Sequence, residues 1–157
     1  MKIILMAVGR MQNEPLRELT AEFVRRAGRY MPLEHVEIAD VRSTRSLDAT
    51  RQKQLEGERI LAALQPGDRL VLLDERGKEM TSRELSVSIE RAAVSGLKRL
   101  VYLIGGPYGF SEEVYGRADA KLSMSRMTFT HEMARLFLAE QIYRAMTILR
   151  GEPYHHD

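Results

Sequence analysis

Cysteine and tryptophan are absent from the 157 residues, prolines number only 5, and aromatic residues make up 6%. The missing cysteine excludes a disulfide framework, thiolate zinc sites, iron–sulfur clusters and thiol nucleophiles. Long hydrophobic runs are missing too, since no stretch approaches the roughly 18–20 apolar residues that span a bilayer. The opening Met1-Lys2-Ile3-Ile4-Leu5-Met6-Ala7-Val8 is apolar, but Gly9-Arg10 follows it with no small-residue cleavage site. It reads as a first strand, not an export signal, and a cytoplasmic protein is expected. No charge dominates: 24 Lys+Arg against 22 Asp+Glu leave a net +2, which by itself does not announce a nucleic-acid protein. The basic side is 19 Arg and 5 Lys. Guanidinium groups suit phosphate and base recognition, though a plain bias toward arginine gives the same count.

What is present is a chain of ordinary single-domain length, with 44% hydrophobic residues, enough for one core. Residues 3–8, 69–74 and 100–104 are apolar runs of strand length, the pattern of strands buried on both faces. Residues 35–41 alternate and read as a more exposed strand, and 121–125 as a last short one. Between them lie amphipathic stretches. Asn13 offers a cap ahead of Pro15, and Leu16, Leu19, Phe23, Val24 and Ala27 form a helical face ending near Gly28. A second helix is expected over 48–64 and a third from the Thr81/Glu84 capping box to about 95. A short helix opens at Ser111, and a long one covers 132–149. Arg42 to Arg45 read as a polar loop, and Glu75-Arg76-Gly77-Lys78 as a turn that ends its strand. The order βαβαβαβαβα predicts an α/β fold, an open and mostly parallel sheet with helices on both faces. The last helix is apolar over more than one face, which deep burial or a homodimer interface would equally absorb.

Ligands of such sheets bind beyond the carboxyl ends of the strands. Three ends stand out: Leu72-Leu73-Asp74-Glu75, Gly105-Gly106-Pro107-Tyr108-Gly109 and Ser125-Arg126-Met127-Thr128-Phe129-Thr130. The glycine loop is neither a dinucleotide fingerprint nor a P-loop, and a structural strand-to-helix turn accounts for it equally well. His131-Glu132 is half of a zinc-peptidase motif, with Arg135 where the second histidine belongs, so no metal site is expected. No G-x-S-x-G elbow accompanies the serines. Glu140 and Arg144 stand at i,i+4, a pair that needs no function. Arg25, Arg26 and Arg29, with Arg42, Arg45, Arg51 and Lys53, either meet phosphates or form a solvated face.

The second half, however, carries a combination that is specific as a whole. It consists of Val71-Leu72-Leu73-Asp74 with Gly77-Lys78, then Ile104-Gly105-Gly106-Pro107-Tyr108-Gly109-Phe110-Ser111, then Leu122 through His131. Glu140-Gln141-Ile142-Tyr143-Arg144-Ala145 and Gly151-Glu152-Pro153-Tyr154-His155 complete it. This set resembles the small bacterial SPOUT methyltransferases of the large ribosomal subunit, and the likeness extends over essentially the whole chain. Two departures stand out. Thr130 replaces a usual proline and could instead cap the long helix, and His156-Asp157 end the chain where relatives carry a basic residue.

The resemblance implies a trefoil knot in the C-terminal half, a homodimer, and transfer of a methyl group from S-adenosyl-L-methionine to N3 of a pseudouridine in 23S rRNA. By position it implies cofactor contacts at Leu73, Gly105, Gly106, Ser125, Arg126, Met127, Thr128, Phe129 and Thr130. Catalytic candidates are His131, Arg135, Glu140, Arg144, Tyr154 and His155. Among these His155 is the first choice for proton acceptor or base-orienting group, and Tyr154 and His155 could cross to the partner's cofactor. Arg135 and Arg144 would hold a phosphate or polarise a uracil carbonyl. The target base must leave its stack to be reached. An 18.0 kDa chain offers little contact area, so the assembled ribosome is the expected substrate. The competing reading is a non-catalytic RNA- or nucleotide-binding module on the same scaffold. A flavodoxin-like protein is disfavoured, because Gly9-Arg10-Met11 forms no phosphate loop after the first strand.

Overall fold

A computed structural model describes residues 1–41 and 48–157; the polar loop expected from Arg42 to Arg45 lies outside them. The elements in chain order are β1 (Lys2–Val8), α1 (Glu14–Gly28), β2 (Leu33–Ile38), α2 (Ala49–Ala63) and β3 (Arg69–Glu79). They continue with α3 (Ser82–Val94), β4 (Arg99–Ile104), α4 (Glu112–Arg117), β5 (Ala120–Ser123) and α5 (His131–Arg150). The five strands form one sheet in the order β2-β1-β4-β3-β5, and every pairing is parallel.

Alternation along the strands divides the core into two layers. Ile3, Leu5 and Ala7, with Leu100, Tyr102 and Ile104, face α1, α3 and α5. Ile4, Met6 and Val8, with Leu70, Leu72, Val101 and Leu103, face α2 and α4. Both faces are thus covered, which is why β1 and β4 are apolar at almost every position. Each large side chain so buried stabilises the fold by about 1.5–3 kcal/mol relative to leaving it in water. The breadth of the apolar surface on α5 is largely absorbed in the same way. Leu138, Ala139, Ile142, Ala145 and Met146 are buried between the sheet, α1 and α3, while Phe137 and Leu149 stay over a third exposed.

The helix starts follow local chemistry. Asn13 Oδ1 accepts from the Leu16 N–H, Asp48 Oδ1 from Arg51, and Ser111 Oγ from Val114. Thr81 and Glu84 close the expected capping box reciprocally. Thr130 Oγ1 accepts from the Met133 N–H (3.2 Å), so threonine opens α5 as a cap where proline could supply no side-chain acceptor.

Three strand boundaries depart from expectation. β2 begins at Leu33, because Leu33 pairs with Ile3 directly after the Pro32 carbonyl has accepted the Ile3 N–H. β5 stops at Ser123, where Ser123 Oγ donates to the Ser125 carbonyl and Ser125 Oγ accepts the Met127 N–H. The larger correction concerns β3. Residues 75–78 do not end it; the strand leaves the ladder after Leu73 and rejoins at Lys78, so that Leu122 pairs with both. Turn chemistry is present in the excursion, since Asp74 Oδ1 accepts the Arg76 N–H (2.9 Å). Gly77 then lets the strand return. A β-carbon there would lie 2.7 Å from backbone atoms of Lys121 and Leu122, a contact only glycine avoids.

Candidate active site

The excursion, the glycine loop and the crossing from β5 to α5 meet at the carboxyl ends of β3, β4 and β5. They enclose a cleft of about 700 Å³ whose walls include Leu73, Asp74, Arg76, Gly105, Gly106, Tyr108, Met124, Phe129 and His131. Leu73, Gly105, Gly106, Ser125, Met127, Thr128, Phe129 and Thr130, all expected from the sequence, lie on these walls. Arg126 does not. Its side chain is 89% exposed and turns out toward Glu79, 3.6 Å away.

Each wall is fixed from behind. The glycine loop closes on itself through the Gly109 N–H and the Gly106 carbonyl (3.1 Å). Beneath it, the buried Glu56 of α2 presses its carboxylate against Gly106, and Gln52 Nε2 donates to Glu56 Oε1 (3.1 Å). On the β3 side, Asp74 gathers the Arg76 guanidinium (3.2 Å) and the Tyr115 hydroxyl (2.6 Å). The Arg76 guanidinium is the main reason the Asp74 carboxyl is lowered to about 2, with the Tyr115 hydrogen bond adding to it. Burial, then the hydrogen bond to Asp74, raises Tyr115 above the usual phenol range. Phe129 packs edge-on against Phe137 of α5 at 5.0 Å. The mixture of apolar walls, backbone polar groups and few charges suits an adenosine-sized ligand.

The tail residues form a second cluster, apart from the cleft. Tyr154 Oη donates to Glu140 Oε1 (3.0 Å), which also accepts from Arg144 Nη2 (2.5 Å). The Arg144 guanidinium stacks 4.8 Å over Tyr154, and Tyr143 packs edge-on against the same ring. Arg144 Nη1 lies 3.3 Å from His155 Nδ1, and His155 Nε2 lies 3.1 Å from Asp157 Oδ1. Asp157 is in turn held by Arg83 (2.8 Å). A guanidinium only donates, so His155 accepts at Nδ1 and donates at Nε2. Within one chain both ring nitrogens of His155 are thus engaged. None of Glu140, Arg144, Tyr154 or His155 lines the cleft. Glu140 stands nine residues beyond His131 on α5, a rise of about 13 Å.

Arg135 is fully buried: Nη1 donates to Glu37, Nη2 donates to the Val8 carbonyl and lies 3.2 Å from His131 Nδ1, and Nε has no partner among the described residues. Arg25 and Arg26 pair with Glu22, one turn earlier on α1. Asp74 stands out in the sequence only as part of a strand end, and Tyr115, Glu37 and Glu56 do not stand out at all. Of these three only Glu56 leaves a trace there: with Gln52 and Ile60 it falls at i, i+4, i+8 spacing, a polar residue on a helix's inward stripe.

No helix among the described residues is long and apolar enough to cross a membrane. No group of three or more His, Cys, Asp or Glu among them is placed to hold a metal ion.

Residues 1–155 match the family model described as "Predicted SPOUT methyltransferase". A protein of Parabacteroides distasonis named Ribosomal RNA large subunit methyltransferase H is 51% identical over 100% of both chains. Proteins of the same name from Bacteroides thetaiotaomicron and Christiangramia forsetii are 50% and 49% identical over essentially their full lengths. The solved structure of a probable methylase family protein from Haemophilus influenzae covers 99% of this chain and 70% of its own, with a TM-score of 0.55 at 12% identity, a likeness of fold. With the cleft at the strand ends and a match over nearly all its residues, the chain belongs to the SPOUT methyltransferase family.

Proposed function

We propose that the chain methylates N3 of a pseudouridine in large-subunit rRNA, acting in the cytoplasm as a homodimer on the assembled ribosome. One observation carries the reading. The cleft at the ends of β3, β4 and β5 is walled by the positions at which the family resemblance expects S-adenosylmethionine, in a chain half identical over its whole length to relatives named as rRNA methyltransferases. The residues present fit that cofactor. Leu73 and Phe129 offer apolar walls, the loop backbone offers polar edges, and Gly106 leaves room where a side chain would strike Glu56. Bound there, the cofactor supplies a methyl group on a sulfonium, whose passage to N3 breaks a carbon–sulfur bond, forms a carbon–nitrogen bond and releases the N3 proton.

The protein's part is alignment and proton handling. Leu73, Gly105, Gly106 and the segment 125–130 hold the cleft open at the strand ends. The Glu140–Arg144–Tyr154–His155 cluster lies outside its own chain's cleft, which favours its delivery to the cleft of a second copy. There Arg144 would orient a carbonyl or phosphate, and His155 would regain a lone pair by leaving Arg144. A trefoil knot in the C-terminal half belongs to the same reading.

Calorimetry with S-adenosylmethionine, followed by methylation assays on naked rRNA, free subunits and whole ribosomes, tests the proposal. Saturable binding and methylation confined to assembled particles are expected. Absence of cofactor binding would return the chain to an RNA-binding module, and efficient methylation of rRNA fragments would remove the need for the particle.

A further inference from the structure

His131 is the first residue of α5 and lies on the wall of the cleft. Arg135 stands one turn behind it, fully buried, with Nη2 3.2 Å from His131 Nδ1. The same Nη2 donates to the Val8 carbonyl (2.9 Å), and Nη1 donates to Glu37 Oε2 (3.2 Å). These anchors are themselves tied down. Glu37 Oε2 also accepts the Met11 N–H (2.8 Å), and Glu132 Oε1 accepts the N–H groups of Gln12 (2.5 Å) and Asn13 (3.1 Å). The first turn of α5 is thus bolted to the carboxyl end of β1, to β2 and to the loop leading into α1.

The consequence for the imidazole is chemical. Arginine has donors and no acceptor, so the contact with Nδ1 is a hydrogen bond given to the ring's lone pair. A neutral imidazole has one proton, and it must then reside on Nε2. Charging the ring would set one N–H against another beside a guanidinium. Burial first, and the Arg135 charge second, hold His131 below the usual histidine range; the carboxylates of Glu132 and Asp40 oppose this more weakly. Nδ1 is taken by Arg135, which leaves Nε2 as the ring nitrogen available to the cleft that His131 lines.

We infer that Arg135 is a positioning residue that holds His131 as a neutral imidazole, and that His131 donates its Nε2–H to an acceptor oxygen in the cleft instead of taking up the N3 proton. The donor geometry rests on the protein alone; the identity of the oxygen rests on the methyl-transfer reading above. A carboxylate of the cofactor and a carbonyl of the target base offer the same acceptor chemistry.

The test uses the full-length protein labelled with ¹⁵N-histidine, with His131 assigned by the signals that vanish in H131Q. Nitrogen–proton correlation spectra near pH 7 should show His131 neutral and protonated on Nε2. An imidazolium, or a proton on Nδ1, overturns the inference. In folded R135K the proton should redistribute between the two nitrogens, since lysine lacks the fork; an unchanged ring overturns the positioning role. H131A should lower kcat/KM about tenfold, and H131Q, which keeps an N–H at the Nε2 place, should recover to within about threefold. Equal activity of H131Q and H131A, or loss of an ionisation from the pH–rate profile of H131A, overturns the donor role.

S-adenosylhomocysteine alone should move the Nε2–H resonance if the oxygen is the cofactor's, and added pseudouridine should move it if the oxygen is the base's. No movement with both, where calorimetry records cofactor binding, also overturns the donor role. Where calorimetry records no binding, the methyl-transfer reading fails, and the tautomer and R135K spectra still decide the role of Arg135.

Discussion

Glu56 occupies the space that a side chain at residue 106 would need: its Oε2 lies 2.7 Å from where the β-carbon of Gly106 would stand. A buried carboxylate on α2 therefore sets the height of the glycine loop. Gly106→Ala should push the loop into the cleft and weaken S-adenosylmethionine binding about tenfold to hundredfold, read by calorimetry. Gly77→Ala meets backbone that cannot rotate away and should instead destabilise the fold by about 2–3 kcal/mol. Gly116→Ala, with open space around it, should be neutral or slightly stabilising. Equal urea midpoints for the three variants would contradict this ordering.

Asp74 makes stability depend on acid. Its carboxyl is depressed to about 2, mainly by Arg76, from an ordinary value of 3.8. A depressed acid stabilises the fold fully above its unfolded value, and that contribution is lost as pH falls through 3.8 toward 2. Arg76 is largely exposed, so solvent screening limits the contribution to about 1 kcal/mol or less. Asp74→Asn should cost that much near pH 7 and nothing near pH 2, by urea unfolding at both. A difference that persists at low pH would exclude the ion pair as its cause.

The tail cluster yields a stoichiometric prediction. At S-adenosylmethionine concentrations too low to fill a weakened cleft, Gly106→Ala idles a cleft and His155→Ala disables a tail. If each site joins one chain's cleft to the other's tail, neither variant dimer methylates. Refolding the two together should restore about a quarter of wild-type activity, because half the dimers are mixed and each has one intact site. No recovery in demonstrably mixed dimers would place cleft and tail on the same chain.

At the opposite end of the sheet, Arg99 Nε lies 3.3 Å from Asp68 Oδ1, with the Asp68 side chain 1% exposed. Removing the cation strands a buried carboxylate, so Arg99→Ala should cost about 3 kcal/mol or more. The pair is far from the cleft, and the KM for S-adenosylmethionine should not move. Thermal unfolding and initial rates separate the two effects.

Much of the fold was legible because β1, β4 and the first part of β3 are covered on both faces, which writes itself as unbroken apolar runs. The caps at Asn13, Thr81 and Ser111 were legible because each needs only the three residues that follow. The excursion at Asp74 was misjudged as an end because turn residues report a local bend, while what resumes the strand is Leu122, far along the chain. Arg135 illustrates the same limit. Glu37 and Val8, its partners, lie 98 and 127 residues away, and nothing around position 135 distinguishes a buried guanidinium from one facing RNA. The cofactor positions emerge from resemblance, while the supports Glu56 and Tyr115, and the contacts Asp74 makes with Arg76 and Tyr115, emerge only from the fold.

The bond from Arg135 to the carbonyl of Val8 also bears on time. During synthesis β1 emerges first, yet its neighbour β4 follows about a hundred residues later and its clasp on α5 later still. Contacts so distant in sequence close slowly, and none can form before both partners have left the exit tunnel. A nascent chain thus has no finished cleft until Ala134 and Arg135 have emerged. Synthesis of both sheet edges and of the clasp must therefore precede any binding in the cleft.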